Sequence, residues 1–374
     1  SAIVFVDAML FTALTPLVPG YATEFDLSKT GAGLLVGAFG AGALLGGVPG
    51  GLAAARFGPK RAVVGGLILL GLASFAFAAA DSAIGLGAAR FVQGLSSTTT
   101  WAGALAWVTV AAPRSQRGEV IGTAFGAAVF GAVLGPVFGG VADTVGVRTS
   151  FATLGVVALA FAALAAGARS SAPQAMPSGG LVRALRDGRF LGGLWLNALP
   201  ALLFGILVVL APLALADDGW SVLRIAAVFF AAGLIEVVIN PLLGRTSDRR
   251  GRLLPIRLAL AASIVVASGL ALAPGANVIA LLVIAAAVSF GGFYTPGMAL
   301  TSHRAEAAGL AQGLGFGLMN SAWAVGNTTG PVLGGALAEA YGDAVPYLAG
   351  AALCGLTLAA TYRVTTRRAG TSEA

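Results

Sequence analysis

Apolar runs about twenty residues long follow one another from end to end of this chain and constrain its fold more than any other feature. A helix crosses the roughly 30 Å hydrocarbon core of a bilayer with about 20 residues. Reading the runs between charged or turn-rich breaks gives twelve: approximately 1–21, 31–55, 62–80, 83–111, 119–142, 149–168, 190–215, 222–244, 253–273, 277–300, 308–337 and 345–362. Only 10% of the 374 residues are charged, against about a quarter in soluble domains. Such a chain cannot cover its own surface with polar groups, so it is a membrane protein whose first partner is the lipid bilayer. Its 55 Gly suit the same solvent, because transmembrane helices pack through small residues and tolerate Gly and Pro.

The net charge of +7 raises nucleic acid as a partner, and the positions of the charges argue against it. Counted from a cytoplasmic start, the loops on one side hold eighteen of the 22 Lys and Arg. The other side holds Lys29, Arg148 and Arg224, and Arg90 lies inside a run. That asymmetry is the positive-inside pattern and predicts cytoplasmic termini. The longest gap, 169–189, is polar, basic and rich in Pro and Gly. It reads as a linker between a six-helix bundle at 1–168 and another at 190–374. Ser1 opens directly on an apolar run with no basic leader, as expected of a chain trimmed at a cytoplasmic tail.

An internal duplication supports the two bundles. GAVLGPVFGG at 131–140 and GNTTGPVLGG at 326–335 share G-x-x-x-G-P-x-x-G-G at an offset of 195 residues. GLAAARFGPKRA (51–62) and GRTSDRRGRLLP (244–255) each place two Gly seven residues apart, at an offset of 193. Repeated six-helix units occur in secondary transporters, with substrate near mid-membrane at the repeat interface.

On these motifs the chain resembles the major facilitator superfamily, and most closely its twelve-span drug:proton antiporters. Residues 51–60 resemble the superfamily's loop motif G-x-L-A-D-R-x-G-R-K through Gly51 and Gly58, and residues 131–140 its fifth-helix antiporter motif. Arg90-Phe91-Val92-Gln93-Gly94 is similar to a fourth-helix R-x-x-Q-G, and FVDAMLFTALTPLVP (5–19) to the first helix. The loop acid is Ala55 here, while the second copy keeps Asp248. In the family that acid helps latch the two halves on the cytoplasmic side, so the usual latch of the outward-facing state is in question.

Gly131, Gly135 and Gly139 fall on one helical face, as do Gly326, Gly330 and Gly334. Such rows let another helix approach at backbone distance, and Pro136 or Pro331 bends the helix beside them. Two readings stand: tight packing alone, or a rocking surface between the halves that also uses Gly140. The resemblance to antiporters favours the second.

Ionisable groups inside spans are functional candidates by default. From helical rise, Asp7 sits about 21 Å and Arg90 about 13 Å below the same interface. Arg90 could then pair with Asp7 directly, or through Gln93 or water. A proton carrier needs a carboxylate whose proton affinity follows its exposure and its cationic neighbours, and Asp7 beside Arg90 meets that description. A static pair anchoring helix 1 to helix 4 is the other reading. Glu236, in the eighth run near Asn240, is a second acid for proton or cation binding.

The resemblance implies a cavity lined by helices 1, 4, 7 and 10. Gln93, Trp101, Trp195, Asn197, Phe290, Phe293 and Tyr294 are its substrate-contact candidates, with Asn320 and Trp323 on helix 11 less favourably placed. Enzyme chemistry finds no support. His303, the sole His, lies in the loop before the eleventh run, with no second His or thiol near it for a metal cluster. No Walker loop is present, so no nucleotide cofactor drives the protein. The single Cys354 excludes an internal disulfide.

The expectation is therefore an all-α protein of twelve transmembrane helices in two pseudo-symmetric bundles. It would be a monomer in a bacterial inner membrane, exporting small amphipathic organic molecules by alternating access in exchange for protons. A sugar or metabolite exporter, an uncoupled facilitator and a non-transporting receptor are the alternatives.

Overall fold

The computed structural model describes residues 1–111, 117–168, 181–310 and 312–370; the side chains at 108–121, 240, 241, 243, 244, 247, 248, 250, 312, 313 and 363–370 are excluded. Everything regular among the described residues is helical. The first run divides into α1 (Ala2–Thr12), a 3-10 turn (Thr15–Leu17) and α2 (Val18–Glu24). Then come α3 (Lys29–Phe57), α4 (Pro59–Ala79), α5 (Ala83–Ala111), α6 (Arg117–Val145) and α7 (Val147–Gly167). After the linker follow α8 (Leu181–Arg186), α9 (Gly188–Asp217), α10 (Val222–Arg250) and α11 (Leu253–Ala271). The chain ends with α12 (Ala276–Gly292), α13 (Tyr294–Ala307), α14 (Gln312–Tyr341) and α15 (Ala344–Gly370).

Ten segments among the described residues are long and apolar enough to cross a membrane, so the protein is multi-pass. The sequence reading counted twelve. α5 and α14 make the difference: at 29 and 30 residues they are as long as the others, but they carry SSTTT and GNTTG. In α5 the hydroxyls of Ser96, Thr98 and Thr99 turn back onto its own backbone. Ser96 donates to the carbonyl of Gln93 at 2.7 Å, and Thr99 to that of Leu95 at 3.0 Å. Glycines of the neighbouring helices then cover the polar stretch, with Gly46 and Gly50 of α3 against Leu95, Thr98 and Thr99, and Gly66 of α4 against Thr100. Polar residues covered in this way lie at a helix interface.

Two further boundaries differ from the sequence reading. The tenth run continues through α13 to Ala307, so His303, expected in a loop, is an exposed residue of a helix. The gap read as an unbroken linker contains α8, whose Ala184 packs with Phe190, Ala305 and Ala308.

The duplication reappears in three dimensions. A Cβ at Gly131, Gly135 or Gly139 would collide with α1 or the turn after it, at Phe5, Met9 and Ala13. One at Gly326, Gly330 or Gly334 would meet α9 at Ala198, Leu202 and Ile206. Each glycine row thus seats a helix of its own side of the linker, which favours tight packing over a rocking surface between the halves for these three positions. Only the fourth glycine crosses. Gly140 meets Leu223 and Ala226 of α10, and Gly335 meets Lys29 and Thr30 of α3. Gly58 and Gly251, 193 residues apart, share a left-handed backbone (φ 91° and 83°) at the tight α3–α4 and α10–α11 turns, where glycine alone is unstrained. Gly51 has open space around it.

α3 and α14 form the main seam across the linker. Gly33 and Gly40 put the α3 backbone against Pro331 and Asn327, and Gly37 receives Val332. At the end of the bundle opposite the termini, the Thr30 amide donates to Glu339 Oε2 at 3.0 Å and Lys29 pairs with Asp343. That end is closed.

A Gly135→Leu substitution overfills the α1–α6 contact and is expected to destabilise by about 1–3 kcal/mol. Gly126→Leu, in the same helix where an added Cβ meets nothing within 4 Å, is expected to stay within about 0.5 kcal/mol. Thermal unfolding in detergent separates them; equal loss would refute the packing role of the row.

Candidate functional site: a broken first helix and its buried charges

Proline has no N–H, so Pro16 cannot donate to the Thr12 carbonyl one turn back. The first helix ends at Thr12 and re-forms as a 3-10 turn. A helix end inside the bundle leaves carbonyls without intrahelical partners. Arg90 supplies donors there. Its Nη1 donates to the Leu10 carbonyl at 3.2 Å and its Nη2 to the Phe11 carbonyl at 3.0 Å. A cation is also favoured at a helix C-terminus by the macrodipole. Nη1 further donates to Gln93 Oε1 at 3.2 Å, and Gln93 Nε2 donates to Ser74 Oγ of α4 at 3.4 Å. One buried arginine thus ties α1, α4 and α5 together. Thr12 fixes the same end from the other side, its hydroxyl donating to the Ala132 carbonyl of α6 at 2.8 Å.

Asp7 lies deeper and has other partners. Ser97 Oγ and Trp101 Nε1 donate to its Oδ2 at 2.7 and 2.9 Å. Its Oδ1, also buried, has no hydrogen-bond partner. No ion pair joins Asp7 to Arg90, which corrects the direct pairing considered from sequence. The reason is helical rise: Ser97 follows Arg90 by seven residues, about 10 Å along α5. Arg90 reaches the end of α1 while Asp7 meets α5 two turns on. Asp7 is only 3% exposed, so its uncommitted oxygen lies inside the bundle.

Aromatic rings link these charges to the seam. Arg90 stacks over Phe39 of α3, 4.9 Å from the ring centre, and Phe39 touches Phe11 with centroids 4.9 Å apart. Phe11 meets Trp323 of α14 edge-on at 5.4 Å. Around Asp7, Trp101 lies 5.4 Å from Phe125.

The remaining predicted contacts divide. Gln93 is fully buried in the Arg90 network. Phe290 and Phe293 are core residues at 1% and 0% exposure, not cavity lining. Asn197 is also buried, its Nδ2 donating to the Gly193 carbonyl and to Thr301 at 2.8 and 3.2 Å. These three were assigned to the cavity from their chemistry, and interhelical packing uses them instead. Trp195 turns to α15, where its Nε1 donates to Thr357 at 2.9 Å. Tyr294 is half-buried at the α12–α13 break, and Asn320 is exposed on α14. The half-buried Glu236 lies across from Gly291 of α12, where an added Cβ would sit 2.7 Å from Oε1. The side chains of Asn240 and Asp248 lie outside the described residues. Among the described residues no group of three His, Cys, Asp or Glu could hold a metal.

Sequence reasoning missed Ser97, Thr12, Phe11 and Phe39. A signal existed for the first: Arg90, Gln93, Ser97 and Trp101 are spaced three, four and four apart, a single stripe of α5.

This geometry, a multi-pass helical bundle with glycine-seated halves and buried charges at a broken helix, defines a membrane transporter class. The model of the Major Facilitator Superfamily matches residues 1–316, and the chain belongs to that superfamily. Over 160 residues it is 31% identical to the MFS-type transporter ppzB of Metarhizium rileyi, covering 41% of this chain and 33% of that protein. The chain thus spans about a third of the length of the curated relatives it matches. Among solved structures it resembles a bacterial homolog of the human lysosomal transporter Spinster in an inward-facing and occupied conformation. The TM-score is 0.79 at 17% identity, covering 98% and 95% of the two chains. It also resembles the nucleoside transporter NupG, with TM-score 0.75 and 14% identity over 97% of each chain. At these identities the likeness shows the fold.

Arg90→Lys retains the charge but loses the two-pronged reach to adjacent carbonyls. Each lost buried hydrogen bond to a charged donor costs about 1.5–3 kcal/mol. The variant is expected to unfold at lower denaturant concentration than the parent, and Arg90→Gln lower still. Full stability in Arg90→Lys would show that charge alone suffices at the helix end.

Proposed function

We propose that this protein is a proton-coupled antiporter that exports small amphipathic organic molecules by alternating access, with Asp7 as the proton carrier. The observation that carries the reading is the uncommitted Oδ1 of Asp7, buried beside Trp101 and two turns from a guanidinium already engaged by helix carbonyls. Alternating access would expose this carboxylate to each side of the membrane in turn, which is what a proton carrier requires. Trp101, Phe125 and the half-buried Trp323 offer apolar faces to an amphipathic guest. Glu236 is the second acid, on the other side of the seam.

In this reading α5 and α14 complete twelve spans, and residues 1–168 and 190–374 rock as two bundles about the seam. The positive-inside count puts both termini in the cytoplasm of a bacterial inner membrane. The Thr30–Glu339 and Lys29–Asp343 contacts at the end opposite the termini support an inward-facing conformation. The chain acts as a monomer, and the proton gradient supplies the energy.

Asp7→Asn keeps an acceptor for Ser97 and Trp101 and removes the titrating proton. In acid-loaded proteoliposomes, ethidium or tetraphenylphosphonium is expected to trigger proton efflux through the intact protein and at least about tenfold less through the variant. Downhill ethidium movement should survive. Undiminished proton efflux in Asp7→Asn would move the proton site to Glu236, and substrate movement without protons in the intact protein would make it a facilitator.

A further inference from the structure

A cleft of about 350 Å³ opens on the outer flank of the bundle, at the terminal end of α4 and α7. Its lining is Lys60, Arg61, Val64, Gly65, Ile68 and Ala166, basic at the mouth and apolar along the floor. Lys60 is held in place, donating to the Ala168 carbonyl at 2.7 Å. An ammonium has three donors, so this bond leaves two. Arg61 is exposed in the first turn of α4, where the helix dipole adds positive potential. A Cβ at Gly65 would meet nothing within 4 Å, so the floor is an open channel. Ile68, on the floor, is exposed, as are Leu72 one turn on in α4 and Leu164 in α7.

Among the described residues no ion pair joins Lys60 or Arg61 to a carboxylate. None of α3, α4, α5 or α7 contains an Asp or Glu, and position 55, before Arg56 in the adjoining loop, is Ala. A basic mouth over an apolar channel on a bilayer-facing flank fits a molecule with an anionic head and a long apolar tail.

We infer that this cleft binds an anionic phospholipid, its phosphate between Lys60 and Arg61 and one acyl chain along Val64, Gly65 and Ile68. The lipid supplies the negative charge that α3, α4, α5 and α7 lack. The inference requires only that α4 and α7 span a bilayer, and it stands apart from the transport reading.

Native mass spectrometry of the detergent-purified full chain tests it, with phosphatidylglycerol and phosphatidylcholine of identical acyl chains as probes. One phosphatidylglycerol is expected to remain bound where phosphatidylcholine is lost. Arg61→Gln should weaken retention about fivefold, the effect of one surface cation. Gly65→Leu keeps both charges and fills the channel, and it should weaken retention as well. Arg148→Gln, at the other end of the bundle, should leave it unchanged. Equal retention of the two lipids, or retention unaffected by both cleft variants, would overturn the inference. Displacement of phosphatidylglycerol by an equal concentration of inorganic phosphate would also overturn it, showing a headgroup site that makes no use of the channel.

Discussion

Inside a bilayer no water is available to satisfy a carbonyl that a broken helix leaves open. The interruption of the first helix at Thr12 therefore has to be answered by the protein, and Arg90 answers it with paired bonds to Leu10 and Phe11. Much of the arrangement before the linker follows from this. Arg90 is fixed to Gln93 and through it to Ser74, so α4, α5 and the end of α1 form one unit. Because Arg90 sits about 10 Å along α5 from Ser97, Asp7 finds its partners two turns on, and it finds them for only one of its two oxygens.

The glycine rows set the distances that make this possible. Backbone-to-backbone contact of α6 with α1 puts Thr12 within reach of the Ala132 carbonyl. The copy 195 residues later does the same for α14 and α9, while the last glycine of each row reaches across the linker. One motif thus performs two tasks: three glycines build a half, and the fourth joins it to the other. Duplication explains why both tasks recur at nearly one offset.

The architecture was legible in the chain because its signals are physical necessities in lipid: run length, loop charge and glycine spacing. The ten apolar spans and the paired turns at Gly58 and Gly251 follow from them, while the family was legible through the motifs the chain shares with it. Other features were hidden. Apolar character marks a span as such, so α5 and α14, whose polar faces are covered by neighbouring glycines, satisfy that test poorly. Side-chain facing was the second obstacle, since helices apolar all round carry no periodic signal. Phe290, Phe293 and Asn197 have the chemistry of ligand contacts, and only packing reveals them as core. The direction of the glycine rows was equally silent, because spacing says which residues share a face and not which helix they meet. The Arg90 bonds were out of reach for a simpler reason: their acceptors are backbone carbonyls, which no residue identity announces.

The central claim is that Arg90 braces the broken helix while Asp7 alone exchanges the proton. The most direct measurement is proton release on adding ethidium to the purified protein in weakly buffered detergent solution, compared among the intact protein, Asp7→Asn and Glu236→Gln. The account predicts release from the intact protein and from Glu236→Gln, and none from Asp7→Asn. Release that persists in Asp7→Asn and disappears in Glu236→Gln would contradict it.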